Sequence, residues 1–479
     1  MSQRGDLPTW VDVGLIPLLN LLLALVAASV VFLLINENPI ECLGIMIKGA
    51  VGSLKGWSYL LYYTTNFIFT GLCVAVAFHA GLFNIGGEGQ AYFAGLGAAI
   101  VGLNLDFLPW PIVIPLSIIA SVLFGAFWGF VPGYLQARRG SHIVITTIMF
   151  NFIASSLMVY LINYWFRPIG KMAVESREVT GAYILSFREI ARQFFGVKFP
   201  ASPLNLTVFL AFFVAWAVWY FLWRTKLGYE IRAVGLNQDA AIYAGIKPQR
   251  IIMIAMAVSG GLAGLVAVNE VLGAQHRLLL EYVQGAGFVG IAVALMGRNH
   301  PIGIVLSAML FGLLYQGGTE LSFAKQHINR DMVVVIQGLI ILFMGALENA
   351  FRPALSAYFQ QSEDDDFAKK PKFRVGFLNN YVSKSIRLAV AICYLVIGLF
   401  QIAAISDGLK LALNLGNITS SMFAVAITFI PLIGSALGFY GAHNVWGWGV
   451  VMSLLLFFWY VAFILAHTVF TSLFFKAED

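Results

Sequence analysis

Apolar runs of about 20 residues, the length that crosses a bilayer core as a helix, recur along almost the whole of this chain. Inside lipid every backbone N–H and C=O must find a partner within the protein, so a chain built this way can be only a helical bundle or a closed barrel. Ten-residue segments of strand-like alternation are absent, which excludes the barrel. Composition agrees: 60% of the 479 residues are hydrophobic and only 11% charged, where a soluble domain carries about 25% charged residues. Mean hydropathy is +0.84. The net charge of +6 is spread over loops, as in a bacterial inner-membrane protein and not as in a nucleic-acid binder. The isolated Cys42, Cys73 and Cys393 support neither a metal site nor a disulfide framework.

The spacing predicts spans at 13–35, 60–80, 85–104, 111–131, 143–163, 204–223, 251–270, 285–297, 302–317 and 332–350, then 386–405, 419–440 and 448–472. The first reads as a retained helix, not a cleaved signal peptide. The stretch 285–297 is too short to cross alone and implies a tilted, re-entrant or broken helix. With the N-terminus inside, Arg138 and Arg139 are cytoplasmic, as is the loop bearing Arg224, Lys226, Arg232, Lys247 and Arg250. The outer stretch 164–202 then carries Arg167, Lys171, Arg177, Arg188, Arg192 and Lys198, against the positive-inside tendency. Residues 1–360 form one membrane domain, 361–385 a charged linker around SEDDDFAKKPK, and 386–479 an appended helical membrane extension without an assigned role. The string from Phe93 to Ala99 resembles that from Phe288 to Ala294, and the two run in opposite senses, a candidate inverted repeat.

Polar breaks in apolar runs mark candidate sites. AFHAGLFNIGGEGQAYFAG (77–95) sets Asn84, Glu88 and Gln90 among Gly86, Gly87 and Gly89. Such breaks persist in membranes where they line a cavity or meet a substrate. Glu88 admits three readings: a substrate acceptor, a cap for its own helix Gln90–Leu103, or an exposed loop carboxylate. Asn151 sits mid-span, as an interhelical bond or a substrate contact. Asn269 and Glu270 lie beside His276 and Arg277 at the outer end of their span, as a gate or, by preference, a solvated rim; Gln316 is similarly placed. Tyr62, Tyr63, Phe67 and Phe69 serve packing or stack on a base or sugar. The tryptophans, among them Trp216, Trp219, Trp223, Trp446 and Trp448, read mostly as interfacial anchors.

Between spans, LGYEIRAVGLNQDAAIYAGIKPQR (227–250) predicts one short helix over 233–245, capped by Asn237 or Asp239 and stopped by Gly245 and Pro248. This loop resembles the coupling loop of ABC-importer permeases that serve branched-chain amino acids, ribose and nucleosides. AVSGGLAGL (257–265) follows it as in that group. GLFNIGGEGQ (81–90), TTIMFNFIA (146–154) and GIAVALMGRNHPIG (290–303) resemble the nucleoside and simple-sugar branch. The resemblance covers about residues 10–355.

It implies an all-α polytopic permease that moves nucleosides or simple sugars across the inner membrane. It also implies a second, similar permease, a cytoplasmic ATPase that receives Arg232, Gly235, Asp239, Ala240 and Gly245, and an extracytoplasmic binding protein. Asn84, Glu88, Gln90, Asn151, Glu270 and Gln316 would line the substrate path. ATP would act on the partner, since GAVGSLKG (49–56) lacks phosphate-loop spacing. The chain shows no catalytic constellation and no cofactor of its own. The rival reading is an ion-coupled secondary transporter.

Overall fold

Every run assigned to a span between 60 and 317 is helical in the computed structural model. It describes residues 37–194, 196–325 and 332–339, with shorter stretches within 29–35, 327–328, 401–424 and 433–453. The linker 361–385, Cys393 and most of the spans expected at 13–35, 332–350, 386–405, 419–440 and 448–472 lie outside the described residues. Contacts divide the chain into two units, Met1–Ala24 with Leu43–Ser356, and Leu25–Cys42 with Ala357–Asp479.

Helix α1 (Pro39–Val51), in the first unit from Leu43 onward, is followed there by α2 (Leu54–His79), α3 (Gly87–Asn104), α4 (Trp110–Arg139) and α5 (Ile143–Leu161). There follow α6 (Phe187–Phe194), α7 (Thr207–Arg224), α8 (Lys226–Leu236), α9 (Gln238–Tyr243), α10 (Pro248–Ala267), α11 (Ala286–Met296) and α12 (Pro301–Ala324). Helices α5 and α10 continue as π turns, Ile162–Phe166 and Val268–Ala274. Six of these segments are long and apolar enough to cross a membrane. Two are central: 89% of the apolar stretch of α2 and 72% of that of α10 are buried inside the protein, against 22% for α5. Buried hydroxyls on α2 are satisfied within the helix, Thr64, Thr65 and Thr70 each donating to the carbonyl four residues back. Helices α4 and α10 pack backbone to backbone; a Cβ on Gly125 would lie 2.3 Å from the Gly260 oxygen.

The bundle has two distinguishable ends. At one, here the lower, His79 Nε2 lies 3.0 Å from the Asn299 carbonyl, and a Cβ on Gly235 would sit 2.1 Å from the His79 carbonyl. At the upper end, residues 167–206 cover the bundle: the amides of Val179 and Ile184 donate to the carbonyls of His276 and Leu272 at 2.7 and 3.0 Å. The basic residues there are partly spent on structure. Lys171 and Arg277 pair with Glu175, and Arg177 donates to the Leu103 carbonyl.

Two crossings of the bundle are broken. Helix α2 descends to His79, the chain turns back through extended residues 82–85, and α3 rises from Gly87. Helix α10 rises to Ala274, the chain folds back through 275–285, and α11 descends from Ala286. Gly87 lies against Cys73, roughly 9 Å above the lower end of α2 at 1.5 Å per residue. The N-termini of α3 and α11 meet there: a Cβ on Gly287 would lie 2.2 Å from the Glu88 nitrogen.

The loop 227–250 differs from expectation. It forms two helices, because Asn237 adopts an extended conformation (φ −161°) and caps α9 by accepting from the Ala240 amide at 3.0 Å. Gly245 ends the turn at φ +78° and Pro248 opens α10, as the spacing predicts. In the second unit, α13 (Ile433–Asn444) packs beside helical residues 401–411, and Trp446 Nε1 donates to Asp407 at 2.8 Å.

Candidate functional site

Three polar assemblies interrupt the apolar interior. The first is a closed knot on the extended segment that precedes α3. Asn84 and Gln90 form a reciprocal amide pair, Nδ2 to Oε1 at 3.0 Å and Nε2 to Oδ1 at 3.2 Å. Asn84 also accepts from the Gly86 amide at 2.8 Å and donates to Ser259 Oγ at 2.8 Å. Ser259 in turn donates to the Cys73 carbonyl at 2.7 Å. Asn84, Gln90, Ser259 and Cys73 are all buried. Asn151 pins the same segment from α5, accepting from the Gly89 amide at 2.8 Å and donating to the Ile85 carbonyl at 3.0 Å. The turn that lipid would penalise is thus held by side chains from three helices.

The second assembly is the junction of the two half-helices. Glu88 does not cap its own helix. Its two oxygens accept from the amides of Gly285 and Gly287, each at 2.8 Å, and so cap α11. A carboxylate at that point satisfies orphan donors and faces the positive end of the α11 dipole. Tyr92 and Tyr282 close the junction: Tyr92 Oη accepts from the Glu281 amide at 2.7 Å, and Tyr282 donates to the Ala91 carbonyl at 2.5 Å.

The third assembly lies higher, around Glu270. Burial overturns the solvated-rim reading, since Asn269 and Glu270 are 1% and 2% exposed. The helix does not end there: it continues as the π stretch Val268–Ala274, in which the Gln275 amide reaches back five residues to the Glu270 carbonyl. Glu270 faces α2, as Ser259 does about three turns earlier; π segments recur at functional sites. Tyr62 Oη donates to Glu270 Oε1 at 2.5 Å and Asn66 Nδ2 to the same oxygen at 2.6 Å. Asn269 donates to Asn66 at 2.9 Å, and Asn205 donates to Asn269 Oδ1 at 3.0 Å. Aromatic rings flank the cluster, with Tyr63 and Phe67 each against Tyr315 at 5.7 and 4.9 Å between centroids. Gln316 bonds Glu320 one turn on, at 3.0 Å.

The six residues expected along one path therefore fall into separate groups. Asn84, Gln90 and Asn151 hold a turn, Glu88 caps a helix, and Glu270 and Gln316 lie apart from these. Tyr62, Asn66, Asn205 and Ser259 complete the assemblies. Only Tyr62 carried a signal in the sequence, as an aromatic ahead of the polar break.

At the lower end Arg232 and Gly235 face inward. Arg232 Nε donates to the Leu222 carbonyl at 3.1 Å and its guanidinium lies 5.8 Å from the Trp223 ring centroid. Trp223 packs between His79 and His300. Asp239, Ala240 and Gly245 are exposed. So are two apolar side chains beside them, Leu236 at 88% and Tyr243 at 95%.

Residues 56–345 match the model of the family described as branched-chain amino acid transport system / permease component. The chain is 34% identical over 333 residues to a guanosine ABC transporter permease protein of Bacillus subtilis (strain 168), covering 69% of this chain and 93% of that protein. It is 33% identical over 331 residues to a nucleoside ABC transporter permease protein of Lactococcus lactis, covering 69% and 90%. It is 28% identical over 367 residues to a glucose ABC transporter permease protein of Haloferax volcanii, covering 76% and 95%. No solved structure matches the chain. With a re-entrant helical core and a match that runs through its six candidate spans and both half-helices, this multi-pass membrane chain belongs to the family of branched-chain amino acid transport system permease components.

Proposed function

We propose that this chain is the permease subunit of an ATP-driven importer in a bacterial inner membrane, and that it carries nucleosides or simple sugars. The relatives named above support the substrate class. The observation that carries the coupling is the lower hinge, where α8 and α9 present Leu236 and Tyr243 almost fully exposed beside Asp239, Ala240 and Gly245. An ion-coupled carrier has no use for such an apolar knuckle between spans; a docked protein would cover it. The occupant is a separate ATPase subunit that binds ATP. Its rocking of α8 would reach the core through Gly235, which abuts the His79 carbonyl at the foot of α2. A second permease of similar fold and an extracytoplasmic protein that delivers substrate to the upper end complete the assembly.

Purification of the tagged chain in mild detergent tests this reading. Recovery with a nucleotide-binding protein and vanadate-sensitive ATPase activity is the expected result. Recovery of the folded chain alone, with uptake that follows an ion gradient, would overturn it.

A further inference from the structure

Glu270 lacks what a purely structural carboxylate has. Both of its hydrogen bonds, from Tyr62 and Asn66, fall on Oε1. Oε2 accepts none among the described residues and is not among the fully enclosed atoms left without a partner, so it keeps a contact with open space although the residue is only 2% exposed. Nor does a lysine, arginine or histidine of the described residues pair with it. In membrane helices an ionisable residue facing the interior marks a solute pathway by default. Contrast Glu88, whose two oxygens are both occupied. The setting of Glu270 is also directional. Asn205, Asn269 and Asn66 form a relay that leads from the segment under the upper cap to its donors. The Tyr63, Tyr315 and Phe67 rings stand alongside on α2 and α12.

We propose that Glu270 Oε2 receives a 2′- or 3′-hydroxyl hydrogen, or an exocyclic amino hydrogen, of an uncharged nucleoside during its passage. Tyr62 and Asn66 are positioning residues: they occupy Oε1 and so aim Oε2 at the solute. The absence of a basic partner makes the place repulsive to phosphate and carboxylate groups. Hydroxyls and amino groups supply the missing donor, and flanking rings suit the flat face of a base or the apolar face of a sugar. This rests on the importer reading above.

The test uses the complete importer in proteoliposomes. Uptake is measured for guanosine, inosine, 2′-deoxyguanosine and 2′,3′-dideoxyguanosine, each as the ratio of variant to wild type, which cancels the preference of the delivery protein. Glu270→Gln can keep its oxygen toward Tyr62 and Asn66 only by turning an amide donor toward the solute. It is expected to lower uptake of the solute that supplies the matching donor by about tenfold or more, the scale of one buried polar mismatch. The analogue lacking that donor should lose far less. Glu270→Asp, which keeps the charge, should restore part of the discrimination, and Tyr62→Phe should weaken it without abolishing it. Equal loss for all four solutes, or no loss for any, overturns the proposal while leaving the importer reading intact. A wild-type complex that hydrolyses ATP but takes up none of the four overturns the nucleoside reading and this proposal with it.

Discussion

The Asn84 knot and the Glu270 cluster are both buried, polar and set against α2, yet they differ in how far their bonding is completed. In the knot, Asn84 uses both ends of its amide and Gln90 answers it in kind. Around Glu270, one carboxylate oxygen takes both donors and the other takes none. A completed set of bonds has no free valence for a passing solute and holds a backbone in place. An incomplete one leaves an acceptor open to such a solute. Polarity in the membrane is therefore a weak guide to function until the partners of each atom are counted.

The comparison can be broken from either side. Asn84→Ala should have the largest effect. It leaves the Gly86 amide, Gln90 and Ser259 short of partners, at about 1–3 kcal/mol for each buried group, and should reduce folded protein and uptake in step. Unchanged thermal stability with lost uptake would instead make the knot part of the path. Glu88→Ala comes next, since it strips the cap from α11 and orphans the Gly285 and Gly287 amides. Again about 1–3 kcal/mol each is expected, read as a lower melting temperature in detergent with uptake per folded molecule preserved.

Tyr243→Asp should leave the folding stability within about 0.5 kcal/mol of the original, as for exposed positions generally. Its effect should be loss of ATPase retained on purification; undiminished retention would remove the hinge from the docking surface. Gly235→Trp is a poorer probe, because the ring would collide with the His79 carbonyl and damage the fold itself. The smallest effect concerns Glu175. The Lys171 hydrogen bond, followed by that from Arg277, holds its carboxyl below the usual range. The stability it contributes is present above the unfolded-state value of about 4.3 and is lost as pH falls through the lower folded value. Solvent screening keeps that contribution modest. Glu175→Gln should flatten this acid limb of a melting-temperature profile, and an unchanged limb would assign it elsewhere.

The spans were legible because lipid allows little else: length and apolarity mark α2, α4, α5, α7 and α10, and the short run at 285–297 announced a broken crossing. The glycine-rich break before α3 was equally plain. What stayed hidden depended on partners distant in sequence. Glu88 answers amides about 200 residues away, so its target helix has no local signature. Glu270 looked like a rim residue because it stands at the outer end of its predicted span; the helix in fact runs on as the π stretch to Ala274 with Val268–Gly273 all buried, and nothing in VNEVLGA announces that continuation. Asn237 was legible as a cap and caps α9; what spacing missed is that the residues before it form a helix of their own from Lys226 to Leu236. Arg232 and Gly235 were legible as part of the family's loop but not as its inner face.

Uptake per folded molecule, compared between Glu270→Gln and Glu88→Gln in the complete importer, tests the division between these sites most directly. The account predicts a fall of about tenfold or more for Glu270→Gln at near-normal folded amount, and for Glu88→Gln a reduced amount with uptake per molecule within about twofold. A reversal of the two, or equal losses in both, would contradict it.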